Sequence, residues 1–216
     1  MKKILIAFFC LVYLSSYAQK ESIRMMDSTI YYRFIDSLKT NYGTNKTIPK
    51  EYELSILVAF SYFPDLRNTK IKFKETKIKT SLNARPTIGS LIFKKKEKRT
   101  YIVRINNSQN DSIALLSKAP FNARVGVFGH EFCHFKDYNT RNFSGIMKRL
   151  SAYGNDKTKE AFEKEIDTHT INQGLGWQLY DWTYHVLYNA NAKKKYIEFK
   201  RLIYLEPMEI EELLKK

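Results

Sequence analysis

The chain has 216 residues and a mass of 25.5 kDa; 44% of the residues are hydrophobic and 14% aromatic, with 37 Lys and Arg against 22 Asp and Glu. That composition excludes a disordered, collagenous or fibrous polypeptide and allows one well-buried core. A net charge of +15 points to anionic surroundings or to a lysine-covered soluble surface.

In chain order, Met1-Lys2-Lys3, the apolar stretch Ile4 to Leu14 and the small residues up to Ala18 have the layout of a secretory signal peptide cut after Ala18. Residues 1–18 are therefore expected to be a signal peptide and 19–216 a single exported domain, periplasmic or secreted. The apolar stretch is shorter than the roughly 20 residues a spanning helix needs, and no later stretch is long enough, so no transmembrane segment is expected in the mature chain. Cys10 falls inside the leader. Cys133 is then the one remaining thiol, an internal disulfide is excluded, and a buried spacer is the expected role.

Ser22 to Leu38 and Tyr52 to Tyr62 carry apolar residues at helical spacing and read as two helices, stopped by Pro64-Asp65. From Thr69 the period becomes two. Lys70 to Lys74 and Lys77 to Lys79 alternate charge with an apolar residue, as in a strand with one wet face, and further short strands are expected around Thr87 to Phe93 and Thr100 to Ile105. The run Lys94 to Arg99 between them reads as a solvated hairpin tip whose lysines discourage edge pairing. Helical periodicity returns beyond Asp111 and predicts helices near 111–118, 122–138, 143–152, 157–173, 175–190, 192–203 and 207–215. The expected architecture is α+β, a small, mostly antiparallel sheet followed by packed helices.

The informative segment is His130-Glu131-Phe132-Cys133-His134. At about 100° per residue, His134 lies some 40° from His130, so both imidazoles project from one face a turn apart, as two ligands of one ion require. Val125, Phe128, Phe132 and Phe135 fall on the opposite side. Glu131 flanks the ligand face, where its carboxylate could reach a water on the metal rather than the metal. With 4 His in 216 residues, such a spacing is expected by chance roughly 0.004 times.

A catalytic zinc needs a third protein ligand and one open position. Glu160, Glu163, Glu165, His169 and His185 are the candidates. On a helix Glu163 and Asp167 share a face, whereas His169 lies with Phe162 and Ile166 and reads as a core or interface histidine. Tyr184 and His185 are candidate electrophiles on a helix otherwise expected to pack through its aromatic residues, and Tyr153 is read in the same way.

His130-Glu131-Phe132-Cys133-His134 followed by Glu163-Lys164-Glu165-Ile166-Asp167 resembles the two-helix motif of the gluzincin zinc metallopeptidases, HExxH followed by ExxxD. The resemblance covers roughly residues 121–176. It implies a zincin-like fold, His130, His134 and Glu163 as zinc ligands, Glu131 as general base, and Asp167 as the carboxylate holding a ligand histidine through its other ring nitrogen. The strand above the site helix in that family would correspond to Thr100 to Ile105. The implied activity is an exported metallopeptidase acting on a peptide or protein substrate. The alternative is a non-catalytic, metal-stabilised binding protein of the cell envelope; an intact Glu131 speaks against it, because zinc retention alone does not need that residue. A nucleic-acid partner is not expected, since the Lys and aromatic residues are spread along the chain rather than gathered.

Overall fold

The computed structural model describes residues 22–109 and 112–216, so the expected leader and Cys10 lie outside the described residues. Helices α1 (Ser28–Tyr32) and α2 (Ile35–Tyr42) precede the two-residue strand β1 (Lys46–Thr47) and helix α3 (Glu53–Phe60). Strands β2 (Lys70–Thr76), β3 (Leu82–Pro86) and β4 (Thr100–Asn106) follow, with α4 (Ile88–Phe93) between the last two. The remainder is helical: α5 (Phe121–Thr140), α6 (Phe143–Ser151), α7 (Asp156–Thr170), α8 (Gly176–Tyr184), α9 (Lys194–Ile203) and α10 (Pro207–Leu214). Among the described residues no helix is long and apolar enough to cross a membrane.

The fold is α+β, with one four-stranded mixed sheet in the order β1-β2-β4-β3. The expectation of a mostly antiparallel sheet is corrected. β1 with β2 and β2 with β4 are parallel, and only β3 with β4 is antiparallel. The reason lies in the 77–99 crossover: β3 is laid within it, so the chain reverses twice and β4 runs alongside β2. Alternation in β2 survives because one face alone is covered: Ile71 and Phe73 are buried while Lys70, Lys72 and Lys74 are exposed.

Three further expectations fail in the same region: Lys77 to Lys79 forms no strand, β2 ending at Thr76 and β3 beginning at Leu82. Thr87 to Phe93 forms a helix rather than a strand: Ser90 and Leu91 turn inward, and the Ser90 hydroxyl accepts the backbone N–H of Thr100 at 3.0 Å, which seats the turn against the start of β4. The 94–99 run is no hairpin tip either. Arg99 is buried, and its guanidinium donates to the carbonyls of Tyr138 and Arg141 at 3.1 and 2.8 Å, tying off the C-terminal end of α5. Elsewhere Ser22 to Leu38 begins its helix only at Ser28 and breaks at Arg33-Phe34, and of the expected helix at 111–118 the described residues, 112–118, are helical only in a short turn at Leu116–Lys118.

The core between sheet and α5 is aromatic. Phe60 of α3 stacks on Phe132 at 3.9 Å between ring centroids, Phe73 of β2 meets Phe128 edge-on at 6.0 Å, and Tyr101 of β4 lies 4.6 Å from Phe135. Each such ring contributes about 2–3 kcal/mol by burial, so the helix that carries the histidines is fixed by its opposite face. Gly126 and Gly129 open that helix to α8. A Cβ at Gly126 would collide with the backbone of Gln178, and one at Gly129 with the side chain of Leu175. After α7 the chain passes through residues 171–175 and turns at Gly174, whose φ of 90° a side chain would strain, before entering α8. Consecutive helices α7 and α8 thereby both pack on α5.

Candidate metal centre

His130, Glu131 and His134 sit in the middle of α5, the helix held by the aromatic face described above, and all three are buried. Glu163 and Asp167 come from α7, a helix started by Asn155, whose side chain accepts from the backbone N–H of Lys157 at 2.9 Å. Phe162 and Ile166 bury the apolar stripe of α7 and turn the neighbouring stripe, Glu163 and Asp167, towards α5. Asp137 braces the pair: it receives Arg141 at 2.7 Å and Arg149 of α6 at 2.9 Å, and Arg149 also reaches Glu165 of α7 at 2.8 Å.

His130 Nε2 and His134 Nε2 are 3.2 Å apart, and Glu163 Oε2 lies 3.1 Å from the first and 3.4 Å from the second. His130 Nδ1 stands 2.8 Å from Asp167 Oδ1, and the other oxygen of Asp167 accepts the backbone N–H of Leu205 at 2.9 Å. With Nδ1–H given to Asp167, His130 Nε2 presents a lone pair towards a carboxylate oxygen and a second imidazole. His130 Nε2, His134 Nε2 and Glu163 Oε2 thus converge in a buried space, where the contacts are satisfied either by a proton carried on an imidazole Nε2 or by a metal ion. Burial opposes a charge on His130, but the hydrogen bonds to Asp167 and Glu163 outweigh it and raise its pKa to about 10. Burial would likewise raise Glu163, yet His134 and His130 hold it well below the usual carboxylate range.

The trio could hold a metal ion. Ligands about 2.0–2.1 Å from a tetrahedral ion lie about 3.3–3.4 Å from one another. The separations of 3.1, 3.2 and 3.4 Å are close to that figure before any adjustment. Glu131 is not part of the trio. It lines the cleft beside the two histidines, and burial raises its carboxyl pKa against the opposing pull of His134 and His130.

The cleft, about 310 Å³, is bounded by β3 on one side and by Leu150, Tyr153 and Lys159 on the other. The strand beside it is thus β3 and not Thr100 to Ile105, which lies one position further into the sheet and contributes Arg104 alone. A second, smaller hollow of about 40 Å³ opens behind Glu131 and His130, walled by Val127, Leu179 and Trp182.

The remaining candidates are elsewhere. Glu160 pairs with Lys164 at 3.2 Å and Glu165 with Arg149. His169 is exposed, not the core or interface residue expected, and borders a hollow on another side of α5 with Cys133 and Lys136. His185 is buried beside Trp182 at 6.1 Å between rings, and Tyr184 stacks on Tyr180 at the surface; neither lines the cleft. Cys133 is buried, and burial pushes its thiol up to about 12, which leaves it an unreactive spacer.

Of the tyrosines, Tyr153, a candidate electrophile in the sequence, is found supporting Glu163 instead, while Tyr204 escaped the sequence reading. Tyr153 donates its hydroxyl to Glu163 Oε1 at 2.8 Å. Tyr204 lies 5.7 Å from the His130 ring, and burial with Glu163, Glu131 and Asp167 nearby drives its hydroxyl pKa well above 10. Neither belongs to a motif; Tyr153 is the middle residue of the short turn Ala152–Gly154, and Tyr204 follows α9. His134 Nδ1, by contrast with His130 Nδ1, is buried without a hydrogen-bond partner. Compared with protein-family models, curated proteins and solved structures, the chain shows no match.

Proposed function

We propose that the chain is an exported zinc metallopeptidase of gluzincin type and zincin-like fold, acting on peptides or proteins. The observation that carries this reading is the convergence of His130 Nε2, His134 Nε2 and Glu163 Oε2, with Asp167 on His130 Nδ1. Two imidazoles and one carboxylate are a donor set of catalytic zinc, and a carboxylate on the free imidazole nitrogen is its usual support.

His130, His134 and Glu163 would hold the ion, which when bound supplies Lewis acidity, lowering the pKa of a water to about 7 and polarising a carbonyl. Asp167 keeps the proton of His130 on Nδ1, so that Nε2 stays a lone pair. Tyr153 occupies Oε1 of Glu163 and leaves Oε2 to face the imidazoles. Glu131 handles the proton. Its carboxylate takes one from the attacking water and returns it to the nitrogen of the leaving amine, and its raised pKa makes it a better base at neutral pH. β3, at the edge of the sheet and along the cleft, offers its free backbone groups to an extended peptide.

The test is metal analysis of the purified chain together with a peptide-library digest by wild type, Glu131→Gln and His134→Ala. Glu131→Gln should keep zinc and fold while losing about 10²–10⁴-fold in hydrolysis, and His134→Ala should lose both metal and activity. Equal zinc loss in the two variants would make Glu131 a structural residue. A zinc-loaded wild type that cleaves no library peptide would return the chain to a metal-stabilised binding protein.

A further inference from the structure

A surface outside the cleft is built by α4, the lysine run behind it and α6. α4 sends Ser90 and Leu91 inward but leaves Ile88, Ile92 and Phe93 exposed at 63%, 56% and 84%. On α6, Ile146 is buried while Phe143 and Met147, one turn apart, are exposed at 48% and 46%. The two helices line one open groove in which Ile92 and Phe143 stand beside Lys94, Lys95 and Lys96. Lys98 and Lys148, on the same two segments, are exposed as well.

We propose that this face docks on an anionic lipid bilayer. Large side chains held out in water beside unpaired ammonium groups are the arrangement of an interfacial membrane anchor: the apolar tips enter the headgroup boundary and the lysines meet anionic lipid. The composition separates this occupant from others. Protein interfaces are enriched in Tyr, Trp and Arg and poor in Lys, whereas the cations free on this face are lysines, since Arg99 and Arg141 are taken up by the C-terminal end of α5 and by Asp137. Single-stranded nucleic acid is gripped by successive aromatic platforms, whereas Phe93 and Phe143 are the rings on this face and Ile88, Ile92 and Met147 beside them are aliphatic side chains suited to the acyl boundary. The same elements reach the cleft: β3 runs through Thr87 into α4, and α6 lines the cleft with Leu150. Docking therefore holds one end of the cleft near the headgroups. This inference does not depend on the metal centre or on catalysis.

The chain from Gln19, which contains the whole described fold, is sedimented with vesicles of phosphatidylcholine alone and of phosphatidylcholine with phosphatidylglycerol. Binding is expected to the anionic vesicles only and to vanish near 0.5 M salt, roughly, where the screening length is a few ångströms. Ile92→Ser with Phe93→Ser, both at exposed positions, should weaken partitioning at least about tenfold. Each lysine near an anionic leaflet strengthens binding about fivefold, so Lys94→Glu, Lys95→Glu and Lys96→Glu together should weaken it by about 100-fold or more. The same charge change at the exposed Lys193, Lys194 and Lys195 should leave most of the binding in place. Equal loss in that control would reduce the effect to net charge and overturn the proposal. So would failure of the wild type to bind anionic vesicles while it binds DNA or heparin. Self-association of the wild type that the Ile92 and Phe93 changes abolish would assign the face to a second copy of the chain instead.

Discussion

Tyr153 and Glu163 are joined by a hydrogen bond of 2.8 Å from the phenol to Oε1, so the carboxylate presents Oε2 alone to the two imidazoles. Tyr153 as a residue is 41% exposed, so water can partly replace a lost hydroxyl. Tyr153→Phe is expected to weaken zinc binding about tenfold with the fold intact, measured by competition with a chelator of known affinity. Unchanged affinity would leave Tyr153 as packing for Phe162.

Asp167 carries two obligations, His130 Nδ1 and the backbone N–H of Leu205. Asp167→Asn can accept one of them but lacks the charge that raises the basicity of His130, so zinc affinity should fall about 10–100-fold. Asp167→Ala also strands a buried N–H, which adds a stability loss of about 1–3 kcal/mol visible in the denaturant midpoint. Equal zinc affinity in wild type and both variants would separate Asp167 from the centre.

The metal-free chain should depend on pH through His130. Its folded pKa of about 10 lies above the ordinary 6.5, so the stability it contributes is complete below the ordinary value and is lost as pH rises through about 10. Glu163 works in the other direction: its depressed pKa contributes stability above 4.5 that is lost on acidification. Thermal midpoints of the metal-free chain should therefore fall between about pH 7 and 10, and zinc should flatten that slope. Zinc uptake near neutral pH should release about one proton, read by calorimetry in buffers of different ionisation enthalpy. Uptake without proton release would mean that His130 is already neutral.

Helix packing around the site is testable at two glycines. Gly126→Ala drives a methyl into the backbone of Gln178, where no rotamer change can relieve it, and should cost about 1–3 kcal/mol or more. Gly154→Ala meets nothing within 4 Å and should be close to neutral. Chemical denaturation of both variants checks the contrast.

The parts of the chain governed by local periodicity were legible in the sequence. Helix α5 was expected at 122–138 and is found at Phe121–Thr140, and the helical wheel already set His130 and His134 opposite Phe128 and Phe132. Glu163 and Asp167 were placed on one face by the same reasoning, although their nearness to α5 rested on a resemblance and not on spacing. What escaped depends on contacts distant in sequence. Nothing local tells β2 to choose β4 as a parallel neighbour, and six residues of α4 are too few for a helical period to outweigh the pull of Ile and Phe towards a strand. Tyr204 reaches the centre from just beyond α9, and the role of Tyr153 on Glu163 comes from a three-residue turn; no repeat marks a direction for either.

Gly174 also sets a limit on insertions and deletions. Helices α7 and α8 grip α5 from two directions, and the five residues between them, 171–175, fix their relative rotation through a single left-handed backbone position. One residue added or removed there would turn everything downstream by about 100°. Leu175 and Leu179 would leave their seats against α5, and Leu205, whose N–H holds Asp167, would be carried off with them. Between Thr170 and Gly176 the count of residues is itself part of the centre.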